Sequence, residues 1–181
     1  MQQDIRQDKI VGSRRLSNYF WSLFLLLGGL GFLLAGISSY FKTNFLPFGN
    51  PTELVFIPQG LVMIFYGTLS FSLSIYIIAM ILLDVGSGYN EYNKIEKLVK
   101  VIRKGFPGKN REILLTYPLS NIRSIGIQIT EGFNPKRKLY LCLKDNRNIP
   151  LTPVQEPISI LNLEGEAADL AKFLDLKLEN L

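Results

Sequence analysis

Histidine is absent from the 181-residue chain, cysteine occurs once, and charged residues make up only 19% of it. Without imidazole there is no His-ligated zinc or haem, no Ser–His–Asp triad and no Cys–His dyad. The single cysteine, Cys142, cannot close an internal disulfide and carries no strong message about redox compartment. A charged fraction below the roughly 25% usual for soluble domains points to a membrane protein. The 48% hydrophobic content and the mean hydropathy of +0.20 agree with that expectation.

The excess hydrophobicity sits in two charge-free runs. Phe20 to Phe41 is 22 residues long, enough for a bilayer core that needs about 20. A cleaved signal peptide is the rival reading, given Arg14 and Arg15 before the run and the small residues Ala35 to Ser39 within it. A signal core normally runs only about 7–15 residues, so a span is expected. The second run, Val55 to Leu83, is bracketed by Glu53 and Asp84. Pro58 suits a first helical turn, which predicts a helix from about Gln59 to Leu82. Residues 42–54 carry Pro47, Gly49, Asn50 and Pro51, a tight connection, so the expected unit is an antiparallel transmembrane hairpin. Arg6, Lys9, Arg14 and Arg15 on one flank and Lys94, Lys97, Lys100 and Arg103 on the other face only Lys42 in the loop. The positive-inside rule then expects both termini on the cytoplasmic or stromal side.

Small residues recur every seventh position: Ser22, Gly29 and Gly36 in the first run, Gly60, Gly67 and Ser74 in the second. A helix drifts only about 20° per heptad, so each set forms one stripe where a neighbouring backbone can approach closely. The stripes either face each other within the hairpin or meet another protein's helix. Gly31, Ala35 and Ser39 form a second stripe, the better candidate for an outside partner. Neither run holds an ionisable residue, which argues against a transport pathway in a monomer; an oligomer stays open.

Residues 84–181 form the second region, entered through a flexible Asp84–Tyr89 exit. Period-two alternation predicts strands around Val99 and Val101, around Ile113, Leu115 and Tyr117, around Ile125, Ile127 and Ile129, and around Leu139, Leu141 and Leu143. Each is expected to be buried on one face. Phe106-Pro107-Gly108-Lys109 has the residues of a type II turn, and Asp145 to Asn148 reads as another. Ile149 and Leu151 add a short strand. Ile160, Leu163, Ala167, Leu170, Ala171 and Leu174 then make a helical apolar stripe, with Gly165 either weakening its middle or marking its start. The expected fold class is membrane α+β: residues 1–19 a basic segment, 20–83 the hairpin with spans at about 20–41 and 57–83, and 84–181 a small antiparallel β domain closed by a C-terminal helix. By analogy of element order alone it is compared with a pleckstrin-homology barrel.

Catalytic motifs are weak. Gly86-Ser87-Gly88 lacks the third glycine of a dinucleotide fingerprint, where Glu91 stands, and follows a helical run, so a hinge is expected. Gly108-Lys109 lacks both the first glycine and the Ser/Thr of a phosphate loop. Cys142 in an alternating strand reads as a buried structural thiol. No enzyme, cofactor or metal is therefore expected. Charge is distinctive instead: from Lys94 to Arg147 there are 13 basic residues against Glu96, Glu112, Glu131 and Asp145, net +9, whereas residues 148–181 carry net −4. The basic stretch is either a solvated face or a surface for anionic headgroups, worth about 1 kcal/mol per charge near a bilayer. It lacks the clustered aromatics of a nucleic-acid surface, so no nucleic acid is expected. Arg103, Lys104 and Arg111 within it are candidate partner contacts. Glu164 and Glu166 either oppose a helix dipole or meet a basic partner.

Several runs resemble a known family. Ser17 to Trp21, Gly31 to Tyr40, Phe56 to Gly60, Phe65-Tyr66-Gly67, Val85 to Tyr89, Gly105 to Gly108, Ile149 to Thr152 and Ala167 to Leu174 are similar to the photosystem I assembly protein of chloroplasts and cyanobacteria, the plastid open-reading-frame-4 type. Residues 90–104 depart from it, with Asn90 and Asn93 in place of acidic residues and an unusual run of lysines. The resemblance implies a thylakoid membrane protein with a stromal or cytoplasmic domain. It would be a non-enzymatic scaffold for newly made photosystem I core subunits, working with other assembly factors and membrane lipids. A permanent small subunit of a photosynthetic complex and a membrane-anchored lipid-binding module are the alternatives.

Overall fold

A computed structural model describes residues 4–130, 132, 136–152 and 159–181. Glu131, Glu156 and the side chain of Lys136, counted in the charge layout above, lie outside the described residues. The chain divides into two units, residues 13–85 and residues 1–12 with 86–181.

The first unit is a helical hairpin. Helix α1 spans Leu16–Phe41 and helix α2 spans Leu61–Leu82. Helix α1 begins four residues before the charge-free run reaches its aromatics, because nothing from Leu16 to Tyr19 breaks a helix. Regular α2 starts at Leu61, two residues later than the pattern predicts. Ile57 is extended (φ −106°, ψ 118°), as proline disfavours the helical region in the residue before it. A wide turn over Phe56–Gly60 therefore leads into the helix, and Pro58 belongs to that turn. Both helices are long and apolar enough to cross a membrane, with mean hydropathy 2.1 and 1.9 over their most apolar stretches; only 22% and 11% of those stretches are buried. A soluble core helix would bury most of such a surface.

The two helices meet through three rungs of small residues. The Ser74 hydroxyl donates to the Ser22 carbonyl at 2.8 Å. A side chain grown on Gly29 would come within 2.7 Å of the Phe71 amide, and one on Gly67 within 2.6 Å of the Leu33 amide. At the third rung, a Cβ on Gly36 would stand 2.7 Å from the Gly60 carbonyl. At the two glycine rungs backbone packs so closely on backbone that no Cβ fits. At the open end of the hairpin the Ser13 amide donates to the Val85 carbonyl at 2.8 Å, and the Arg14 Nε lies 3.6 Å from Asp84.

The second unit is a roll of two four-stranded sheets. Strands β1 (Ile5–Ile10), β2 (Gly88–Asn93), β3 (Leu98–Lys104) and β4 (Glu112–Pro118) run as an antiparallel meander. Strands β5 (Ile122–Thr130), β6 (Lys136–Leu143) and β7 (Asn148–Pro150) form the other sheet, whose far edge is β8 (Lys177–Asn180), parallel to β5. Helix α3 (Ile160–Leu174) buries Leu163, Ala167, Leu170, Ala171 and Leu174 against Tyr92, Val99, Val101, Ile125, Ile127, Leu139 and Leu141. Ser159 caps it, accepting from the Asn162 amide. Gly165 lies within the helix, where a Cβ would meet nothing within 4 Å.

Four readings need correction. Residues 5–10 are a strand, and the Gly88–Tyr89 part of the expected flexible exit belongs to β2. Gly86, at φ +78°, provides the bend that precedes it. Strand β4 forms, yet Ile113, Leu114 and Leu115 are 51%, 58% and 41% exposed. It is the edge strand of its sheet, and of the three expected inward residues Tyr117 packs against the core while Ile113 and Leu115 stay exposed. Gly108 keeps a negative-side φ, so the β3–β4 connection is a wider loop over residues 105–111 and not a type II turn.

Replacing Gly67 with isoleucine should cost about 1–3 kcal/mol by overpacking the central rung and lower the thermal midpoint of helical circular dichroism in detergent. Gly28→Ala, where a Cβ meets nothing within 4 Å, should leave it unchanged.

Candidate functional site

The inner face of the first sheet carries polar side chains where an ordinary core would be apolar. Arg6 pairs across the ladder with Tyr92 and Asp8 with Asn90. These positions alternate along β1 and β2, so all four fall on one face, the face that also holds Val99 and Val101. Together with Leu139, Thr152 and Glu166 they line a cleft of about 530 Å³ within the roll.

The polar floor is internally bonded. Arg6 Nε donates to Asp8 Oδ1 at 2.9 Å. Arg103 donates to Asn90 Oδ1 at 2.8 Å and to the Ile102 carbonyl at 2.8 Å, and Asn90 Nδ2 donates to the Leu151 carbonyl at 3.0 Å. Asn90 thus stitches β2 to the guanidinium of β3 and to the chain just after β7. Burial lowers the Arg103 pKa from its ordinary value. Tyr92 is fully buried, and its phenol is pushed well above tyrosine's ordinary value, chiefly by burial and then by the Asp8 charge. It stays a neutral phenol throughout the physiological range.

The other sequence candidates fall in both units. Arg103, Lys104 and Arg111 gather at one end of the first sheet, since Arg103 pairs with Ile113, Lys104 with Glu112, and the Gly105 amide donates to the Arg111 carbonyl at 2.6 Å. Glu164 and Glu166 are both exposed on α3. Two residues apart on a helix means about 200° around its axis, so they do not share a face; Glu166 lines the cleft. In the hairpin, Ser22, Gly29, Gly36, Gly60, Gly67 and Ser74 are brought together in the rungs described above. Ala35 and Ser39 are buried, and Ser39 donates to the Leu54 carbonyl at 2.9 Å. At Gly31 a Cβ would meet nothing within 4 Å.

Arg6, Asp8, Asn90 and Tyr92 escaped the sequence reading because their buried face is hydrogen-bonded instead of hydrophobic, which erases the apolar alternation. The available signal was the polar alternation Arg6-x-Asp8 and Asn90-x-Tyr92 on either side of the hairpin. The Cys142 thiol is fully buried on the opposite side of the second sheet, where a Cβ on Gly126 would stand 2.7 Å from its Sγ. Among the described residues no group of three Asp, Glu or Cys side chains is placed to hold a metal ion.

The Ycf4 family model matches residues 3–172. The chain belongs to that family. It is 78% identical to "Photosystem I assembly protein Ycf4" of Phaeodactylum tricornutum across the whole of both chains. The protein of the same name from Pyropia yezoensis is 54% identical, over 97% of this chain and 94% of its own length. The one from Trichodesmium erythraeum is 50% identical, over 96% of this chain and 92% of its own. In this member of the Ycf4 family the hydrogen-bonded floor includes Asn90, so a neutral amide, not a carboxylate, receives the Arg103 guanidinium.

Two measurements check the floor. Asn90→Ala removes bonds to a buried carbonyl and a half-buried cation, and should cost about 1–3 kcal/mol in chemical unfolding. The raised Tyr92 pKa has a definite sign: between tyrosine's ordinary value near 10 and its native value, the unfolded state holds fewer protons. Its contribution to stability is therefore complete below about 10 and declines as pH rises further. Tyr92→Phe should flatten that alkaline decline.

Proposed function

We propose that this chain is a non-enzymatic assembly factor for photosystem I, a scaffold that holds newly made core subunits in the thylakoid membrane and leaves before the complex is mature. The observation that carries this reading is the 78% identity, across the whole of both chains, to a protein named for photosystem I assembly. A histidine-free composition and a sealed Cys142 support a role in binding instead of turnover.

Helices α1 and α2 are read as membrane spans, at about residues 20–41 and 57–83. Their apolar, outward-facing side chains support this: Phe24, Leu27, Phe65 and Leu69 are each more than half exposed. The lysine and arginine balance of the flanks supports both termini in the stroma. Residues 84–181, with the N-terminal strand, would then be the stromal part, and the order of strands followed by a closing helix supports the analogy with a pleckstrin-homology barrel. The cleft bounded by Arg6, Asp8 and Glu166 offers both signs of charge beside apolar walls, a chemistry suited to an extended peptide segment of a client subunit.

Deleting the gene should abolish or sharply reduce photosystem I while photosystem II accumulates normally. Equal loss of both complexes would overturn the reading. Affinity purification of the full chain from solubilised thylakoids during active synthesis should recover photosystem I core subunits, and the purified mature complex should lack the chain. Its stoichiometric presence there would instead make it a permanent subunit.

A further inference from the structure

The β3–β4 loop and the start of β4 form a continuous exposed stretch from Phe106 to Thr116. Its composition is unusual for a solvated hairpin. Phe106, Ile113 and Leu114 are 52%, 51% and 58% exposed, and the cations Lys104, Lys109 and Arg111 surround them with Glu112 as the only acid between Lys104 and Thr116. The core reaches β4 at Tyr117, the partner of Val99, while Ile113 and Leu114 toward the loop stay more than half exposed.

Position along the chain gives the surface an occupant. The ladder places Lys104 and Gly105 at the end of the sheet where β1 finishes and β2 begins: Ile10 pairs with Gly88, Gly88 with Arg103, and the Gly86 amide donates to the Lys104 carbonyl at 2.6 Å. Ile10 stands six residues before Leu16, the first residue of α1, and Gly88 six after Leu82, the last of α2. Six residues span at most about 20 Å even when fully extended. The chain between each strand end and its helix is therefore short, about 20 Å at most. Cations attract anionic headgroups within a Debye length of about 8–10 Å, and an aromatic ring with flanking apolar residues is the side-chain set that settles at a membrane interface.

We propose that the β3–β4 hairpin end, through Phe106, Ile113, Leu114, Lys104, Lys109 and Arg111, is a foot that rests in the anionic headgroup layer of the bilayer. The inference depends on the membrane-spanning reading of α1 and α2, and the test separates the two. In full-length protein carrying Trp21→Phe, one tryptophan is introduced as Phe106→Trp or, in the middle of α1, as Phe32→Trp. Each protein is reconstituted into vesicles of brominated phosphatidylcholine, with and without brominated phosphatidylglycerol, and tryptophan quenching is read. The Phe32→Trp reporter should be quenched in both vesicles. The Phe106→Trp reporter should be quenched at least about twofold more when phosphatidylglycerol is present, and adding Lys109→Glu with Arg111→Glu should abolish that difference. An unquenched Phe32→Trp reporter would overturn the spanning reading itself. Quenched Phe32→Trp with unquenched Phe106→Trp would overturn the foot and leave a protein as the occupant of this surface. Equal quenching of Phe106→Trp in both vesicles would overturn the role of charge.

Discussion

The strand ladder that joins the most distant parts of the sequence is the antiparallel pairing of Ile5–Ile10 with Gly88–Asn93. This ladder closes a hairpin whose connection is not a turn but 77 residues containing both apolar helices. Such a closure carries a loop entropy cost that grows only with the logarithm of length, and the helical hairpin reduces it further by bringing its own ends together. Ser13 and Val85 are hydrogen-bonded to each other, and so are the strands that precede and follow them. Each unit thus presents the chain to the other at two adjacent points.

That arrangement explains what was legible in the sequence. The helices were, since a charge-free run with small residues every seventh position has few other meanings. Strands β5 and β6 and helix α3 were, because their buried positions are aliphatic and follow the period of their element. Strands β1 and β2 were not: their inward positions are Arg6, Asp8, Asn90 and Tyr92, so hydrogen bonds stand where the pattern expects aliphatic groups. The alternation in β4 correctly marked a strand and wrongly implied cover. Period two reports which side chains share a face, while burial needs a second layer opposite that face. At β4 only Tyr117 finds that cover, and Ile113 and Leu115 lie beyond it. Strand β8 is four residues long and mostly exposed, too short and too polar to announce itself.

The candidate site was legible only in part, for a related reason. Charge counting found the basic stretch and the acidic end, but the cleft is built by a pairing across the long insertion, and no local pattern encodes it. Arg103 shows the difference. In the sequence it is one of 13 cations; in the fold it is half-buried, bonded to Asn90 and to main-chain carbonyls, with its pKa lowered by burial. Its bonds tie β3 to Asn90 on β2, a residue that lines the cleft. Lys109 and Arg111, by contrast, lie on the exposed β3–β4 loop.

The division of small and large residues in the hairpin bears on where recognition resides. The rungs at Ser22–Ser74, Gly29–Gly67 and Gly36–Gly60 are consumed in holding α1 to α2, and Ala35 and Ser39 are buried with them. What faces outward is dominated by Phe, Leu, Ile and Tyr, with Gly28 and Gly31 the small positions open on α1. Bulky apolar side chains meet lipid tails and client helices on nearly equal terms, since the bilayer is as apolar as they are. On the proposed reading the hairpin therefore supplies an address in the membrane and little selectivity. On the same proposed reading, discrimination between one client and another would fall to the roll, where mispaired charges cost free energy and a shaped cleft can reject a poor fit. If that reading holds, a variant that keeps the cleft floor intact while changing the outer hairpin residues would retain its clients, and the reverse exchange would not.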